Sequence, residues 1–405
     1  MKLTRYEIKK MFSQTSCKVA LVILAITIAV VCYFACDVSF VNDQGETITG
    51  DEAISELRNM QKEWAGILDE ETIARVIALN HQITSSPEYN SQDIREQEIA
   101  YSKGQGIIEI RRLLNSSYSE EFRSFDYYLA NSLSENDAPR FYSNRLNLLK
   151  EWFDSEANVM FSEKDKEYII EKYKQLKTPF YYDYVKGWSQ LFEYSMSIIM
   201  IMMLVLGFIT SSIFSNEFTW KADSIFFTTV KGRNHAIAAK LKAGFIIVTG
   251  IYIIVMVIYT IIVLMYLGTD GMNCQIQIIH WKSMYNAKIW QEYLFIIIGG
   301  YLGCLFMSVF CMLVSAKTKS SVVAVIIPFV VLFLPSFVGN IDSAVVNKIL
   351  GLLPDQLLQV NLVFVYFNLY QIGGRVFSAL SILFVVYSIL TLALFPGIYV
   401  VYKKK

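Results

Sequence analysis

The sequence has no nucleotide-binding loop of the form G-x-x-x-x-G-K-[ST], no C-x-x-C pair and no H-E-x-x-H. The first absence removes the backbone cradle and lysine that hold phosphates in one large class of ATPases. The other two remove common dithiol and zinc frameworks. Histidine is scarce: there are three, His81, His235 and His280, and His81 has no metal partner at helical spacing. Six cysteines do not make a disulfide framework, because Cys17, Cys32, Cys304 and Cys311 lie in or beside apolar runs. They read as small packing residues, and a Cys36–Cys274 bridge is the single pairing left for consideration. Charge is scarce too, at 18% of residues against about a quarter in soluble domains. Basic and acidic residues balance at 36 each, so the total gives no argument for nucleic acid.

What the chain has instead is apolar length: 54% of its 405 residues are hydrophobic. A helix needs about 20 apolar residues to cross the hydrocarbon core. Six runs qualify, at 17–36, 188–214, 241–267, 293–316, 320–339 and 376–402. They are too continuous for barrel strands, so helices are expected. The predicted fold is an all-α polytopic membrane protein, six transmembrane helices plus a helical extracytoplasmic domain at 37–187. The remaining pieces are an amphipathic N-terminal helix at 1–16, a cytoplasmic loop at 215–240, an external loop at 268–292, a turn at 317–319, an external helical segment at 340–375 and a tail at 403–405. The first run is long for a signal peptide and reads as an uncleaved helix.

Lysine and arginine set the expected orientation. Fifteen of them fall at the N-terminus, the 215–242 segment, the 317–319 turn and the C-terminus, whereas the two short loops on the other side carry four: Lys282, Lys288, Lys348 and Arg375. Both termini are therefore expected in the cytoplasm of a multi-pass protein of the cell membrane. Residues 37–187 hold 17 basic and 28 acidic side chains, so the external face is expected to be acidic.

In 37–187 the pattern is helical. Thr49 to Glu52 reads as a capping box ahead of Ala53, Ile54, Leu57 and Met60. Asp69, Glu70 and Glu71 place acids at the positive end of the next helix. Further helices are expected over 93–114, 119–133, 140–156 and 162–176. The acids are dense enough that neighbouring pairs are unavoidable, and a solvated helix face explains them. The aromatic string 178–188 has two readings: an interfacial belt where the chain meets the bilayer, or a rim that contacts amphipathic cargo.

The segment 216–240 is the most informative. Phe218, Ala222, Ile225, Phe226 and Thr229 share a helical face, extended by Trp220, Phe227 and Val230. Gly232 can end that helix, and Arg233 and Lys240 lead into the third span. Two readings stand equal: a helix lying in the headgroup layer, or a rigid element docked in a partner's groove.

With Tyr6-Glu-Ile-Lys-Lys10 ahead of the first span, Glu217…Gly232-Arg233…Lys240 after the second, Leu352-Leu-Pro354 after the fifth and lysines closing the last, the chain resembles the permease subunits of type 2 ATP-binding-cassette (ABC) exporters. The large insert after the first span is similar to a variant common in Gram-positive bacteria. The resemblance implies that residues 1–16 are an interfacial elbow helix, that short helices within 340–375 re-enter the outer leaflet, and that Glu217 begins a coupling element seated against a separate ATPase. Phe218, Trp220, Ile225, Phe226 and Phe227 would form that element, with Gly232, Arg233 and Lys240 following it. It also implies a second permease subunit, identical or a sister chain. The chain itself would not be an enzyme and would hold no cofactor; ATP and magnesium would sit on the partner.

No charged residue occurs in 245–267, 293–316, 320–341 or 376–402, where an ion or proton path would be expected to show some. An amphipathic or hydrophobic cargo, such as a peptide, an antibiotic or a lipid-like molecule, suits such spans better. Glu193, Tyr194 and Pro354 are the candidates for a substrate path, although an interfacial acid is the plainer reading of Glu193. The rival reading is a membrane-anchored sensor or binding protein acting through 37–187.

Overall fold

A computed structural model describes residues 2–228, 232–338 and 344–403; the side chains of 225–227, 232, 233, 336 and 344 are outside the description. The chain is mostly helical, as expected of an all-α membrane protein. Five of its helices are long and apolar enough to cross a membrane among the described residues.

Helix α1 (Lys2–Ser13) is amphipathic and turns at Gln14 into α2 (Thr15–Ala35), the first of the five. A short hairpin, β1 (Ser39–Val41) with β2 (Thr47–Thr49), leads to α3 (Asp51–Lys62). The capping box expected at Thr49 is not formed. Thr49 pairs with Ser39 in the hairpin, and Gly50 takes the N-cap position at φ 77°, where a glycine avoids the Cβ clash. Strand β3 (Gly66–Ile67) precedes α4 (Glu70–Thr84), whose Asp69 N-cap accepts from the Thr72 amide at 2.9 Å, as its acidic start predicts.

The single helix expected over 93–114 is two, α5 (Ile94–Gly104) and α6 (Ile108–Ser117). The one expected over 119–133 is mostly irregular, with a short 3-10 turn at Leu129–Ser132. There the Asp126 and Ser124 side chains bond the local backbone, at the amides of Tyr128 and Glu121, and compete with helix. Helices α7 (Phe141–Asp154) and α8 (Glu163–Lys174) match their expected places. Strand β4 (Tyr181–Tyr182) then pairs antiparallel with β3.

Helix α9 (Lys186–Thr219) runs five residues past the expected end of its span. A six-residue helix, α10 (Asp223–Thr228), and a π turn at Gly232–Ala236 connect it to α11 (Ile237–Leu267). Helices α12 (Ile289–Thr318) and α13 (Ser321–Val338) follow; α13 covers the expected fifth span but is shorter than the others. Beyond it come α14 (Ala344–Leu350), a 3-10 turn at Pro354–Leu357 and α15 (Val360–Val365). The hairpin β5 (Leu369–Ile372) with β6 (Arg375–Ser378) occupies the expected start of the last span, which begins as α16 (Ala379–Lys403).

Helices α9 and α12 are the centre of the bundle and share its most extensive helix contact. The apolar stretch of α9 is 67% buried, against 28% in α2 and α16, which present apolar side chains outward. Close approach depends on small residues. A Cβ on Gly300 would stand 2.6 Å from Ile199 Cδ1, and one on Gly303 2.5 Å from Met203 Cε. Ser315 donates to the Ser211 carbonyl and Thr210 reaches the Ser308 carbonyl at 3.3 Å, which adds polar contacts to the same seam.

Residues 37–187 pack onto the far ends of these helices. A second core joins Phe122, Trp152, Phe153 and Tyr173 to Met284, Phe367 and Leu369 of two inter-helix connections. Arg145, 5% exposed, donates from Nε to the Trp281 carbonyl at 2.8 Å and from a terminal nitrogen to the Ser283 carbonyl at 2.5 Å. The aromatic string 178–188 is largely internal rather than an exposed belt. Phe180, Tyr182, Tyr184 and Trp188 are buried, with Phe180 packed edge-on against Tyr142 and Trp281. Their rings fill the joint between 37–187 and the helices. All six cysteines are free thiols.

Candidate functional site

At the opposite end of the bundle, five helices meet around the last turn of α9. Glu217 lies within that helix, not in a loop, and is almost wholly buried. Its Oε1 accepts from Lys10 Nζ at 2.7 Å and from Lys240 Nζ at 2.8 Å. Lys240, with no exposed surface, also pairs with Glu7 Oε2 at 3.4 Å and donates to the Ile213 carbonyl at 2.8 Å. Two acids and two bases from α1, α9 and α11 thus form a neutral buried cluster. Neutrality and hydrogen bonding are what make such burial tolerable. The lysines also sit at the C-terminal end of α9, where the helix dipole favours positive charge.

The same turn gathers two further helices. Lys319, in the turn after α12, lies 4.8 Å over the Phe218 ring, and Tyr402 of α16 packs edge-on against Phe214 and Phe218. Tyr399 donates to Asn234 Oδ1 at 2.6 Å, which ties α16 to the π turn. Trp220 follows the helix, 53% exposed, with Lys10 Nζ 4.8 Å over its ring. The adjacent Lys221 has φ 54°, so the chain breaks direction there before α10.

The residues singled out from sequence therefore separate into two groups. Glu217, Phe218, Trp220 and Lys240 come together with Glu7 and Lys10. Ile225, Phe226 and Phe227 lie on α10, but their side chains, the side chain of Arg233 and the surroundings of Gly232 lie outside the described residues, as does all of Val230. The expected loop 215–240 contracts to 220–236, because α9 and α11 each extend into it.

The expected substrate-path residues do not gather. Glu193 is exposed on α9 and has no ion-pair or hydrogen-bond partner among the described residues. Tyr194 is half-buried, and Pro354 is buried at the start of the 3-10 turn that packs on α12 and α13. The buried acid at that end of the bundle is Glu292, in the first turn of α12, with His280 Nε2 at 3.0 Å from its Oε1 and Phe192 stacked on the imidazole. In the sequence Glu292 closes the expected external loop 268–292. The one signal was an acid immediately before an apolar run. Asp355, next to Pro354, is buried as well, and that burial pushes its carboxyl above the ordinary range.

No cluster of three or more histidine, cysteine or acidic side chains is placed to hold a metal among the described residues. The arrangement around Glu217 fastens the end of α9 to α1 and α11, and α10 packs on α9 and on the π turn just beyond it. Compared with known proteins, the chain matches no family model, no curated protein and no solved structure.

Proposed function

We propose that the chain is the permease subunit of an ABC exporter, driven by a separate ATPase and paired with a second permease subunit in a bacterial cell membrane. The observation that carries this reading is the buried Glu7–Lys10–Glu217–Lys240 cluster. It fastens the end of α9, from which the short α10 follows, to α1 and α11, and a coupling element needs such an anchored base if a partner's movement is to reach the spans. In this reading α13 is the fifth of six spans, and both termini and the 220–236 connection are cytoplasmic. Residues 37–187 and the connections around α14 and α15 are external, and α1 is the elbow helix. ATP and magnesium are held by the partner. The cargo is amphipathic or hydrophobic, in keeping with α11, α13 and α16, whose membrane stretches carry no charge.

One observation favours the rival, a sensor or binding protein working through 37–187. That region contains a cavity of about 390 Å³ lined by Tyr89, Tyr101, Tyr127, Tyr128 and Arg111. The two readings part in a single experiment. The tagged full-length chain is purified gently from its native host, and its companions are identified by mass spectrometry. The permease reading expects an ABC ATPase in about equal amount, lost in the Trp220→Ala/Phe227→Ala variant. If no ATPase is recovered under conditions that preserve a known ABC complex, the permease reading fails and the cavity becomes the place to look for function.

A further inference from the structure

The cluster at Glu217 uses Lys10 and Lys240, but two neighbouring cations are left over. Arg5 on α1 and Lys242 on α11 have no carboxylate within ion-pair distance among the described residues. Both line one groove of about 630 Å³ between α1, α11 and α16, whose other walls include Ile8, Phe245, Ile246 and Phe395. That volume is ordinary for a small-molecule site. Glu7, the acid nearest to Arg5 in sequence, is committed to Lys240 and cannot neutralise the groove.

The position of Lys242 fixes the depth. It is the last charged residue before 25 uncharged ones, 243–267, that run to the end of α11. The hydrocarbon boundary therefore lies just beyond it, so the groove opens with its two cations at headgroup level and its apolar wall, Phe245 and Ile246, at acyl-chain level. Phe245 is 41% exposed and Ile246 49% among the described residues. Positive charge above and apolar surface below is the complement of one kind of occupant.

We propose that this groove binds an anionic glycerophospholipid from the leaflet that α1 faces, its phosphate between Arg5 and Lys242 and one acyl chain along Phe245, Ile246 and Phe395. Each cation near an anionic headgroup contributes enough that the pair should give a preference of roughly tenfold over a zwitterionic lipid. Such a lipid would wedge α1 against α11 beside the Glu7–Lys240 pair. The proposal does not depend on the cargo or on the ATPase.

The test is native mass spectrometry of the full-length protein, released from micelles after equilibration with equal amounts of phosphatidylglycerol and phosphatidylcholine. The expected result is one preferentially retained phosphatidylglycerol. That preference falls to about twofold or less in Arg5→Gln/Lys242→Gln and survives in Lys2→Gln/Lys9→Gln, which removes equal charge from α1 outside the groove. Ile246→Trp, which fills the groove without altering charge, lowers retention of both lipids. Unchanged melting temperatures confirm that each variant is folded; Arg5 and Lys242 are exposed, so their loss leaves the core intact. The proposal is overturned if the wild type shows no preference, if Arg5→Gln/Lys242→Gln keeps it, or if the Lys2→Gln/Lys9→Gln control loses as much, which would mean general surface attraction. Displacement of the lipid by excess inorganic phosphate would assign the groove to a soluble anion and overturn it equally.

Discussion

At the α1 end of the bundle, four charged side chains on three helices make the joint; at the other end, residues 37–187 are held by a broad aromatic core reinforced by Arg145. The first joint is narrow and all of its charges are mutually dependent. The second spreads over Phe122, Trp152, Phe153, Phe367 and their neighbours, so no single contact dominates it. The contrast suggests that the narrow joint is where one substitution has a large effect and the broad one is where effects are shared.

The sharpest way to break that contrast is Lys240→Met. It leaves Glu217 and Glu7 buried with only Lys10 between them, and unpairing a buried charge costs about 3–5 kcal/mol. Unfolding in micelles should show that loss, and the charge-free Glu7→Gln/Lys10→Met/Glu217→Gln/Lys240→Met variant should recover most of it. A quadruple variant no more stable than the single one would mean that the charges are not what joins these helices.

A smaller effect is expected from Arg145→Lys. The guanidinium serves two carbonyls at once and stacks 3.9 Å over Tyr173, and an ammonium cannot copy that geometry. The expected loss is about 1.5–3 kcal/mol, with faster proteolysis in 268–288. If Arg145→Lys costs more than Lys240→Met, the broad joint is the weaker one and the contrast reverses.

The smallest effect is a pH dependence at the same broad joint. Burial, with the charge of Arg123 adding to it, pulls Lys282 down to about 8 from its ordinary value near 10.5. Between these values the unfolded chain holds the proton that the folded one has released. Lys282 therefore contributes to stability fully above pH 10.5, and the contribution is lost as pH falls through 8. The melting temperature of wild type relative to Lys282→Met should rise from pH 7.5 to 9.5. A flat difference would show that the ammonium remains solvated.

How much of this was legible depended on distance along the chain. Apolar runs locate five long helices to within a few residues, because length and composition are local properties. Glu217 and Lys240 stand out in sequence, but their meeting with Glu7 and Lys10 does not, since some 200 residues intervene. The burial of Tyr182 and Tyr184 was hidden for a related reason: beside a bilayer, an aromatic string reads as a belt unless a domain is known to cover it. Glu292 was missed because its partner His280 comes from a loop whose path only the fold decides.

The length of α9 has one more consequence. Its 34 residues contain no proline, and at 1.5 Å per residue they extend about 50 Å, well beyond a hydrocarbon core of about 30 Å. One end is gripped where Trp188 donates to the Thr269 carbonyl, the other at Glu217. In the permease reading proposed above, a proline-free strut of that kind serves as a tiller. A push at Trp220 that turns it by a few degrees swings the far end sideways by several ångströms, directly beneath the joint that holds residues 37–187.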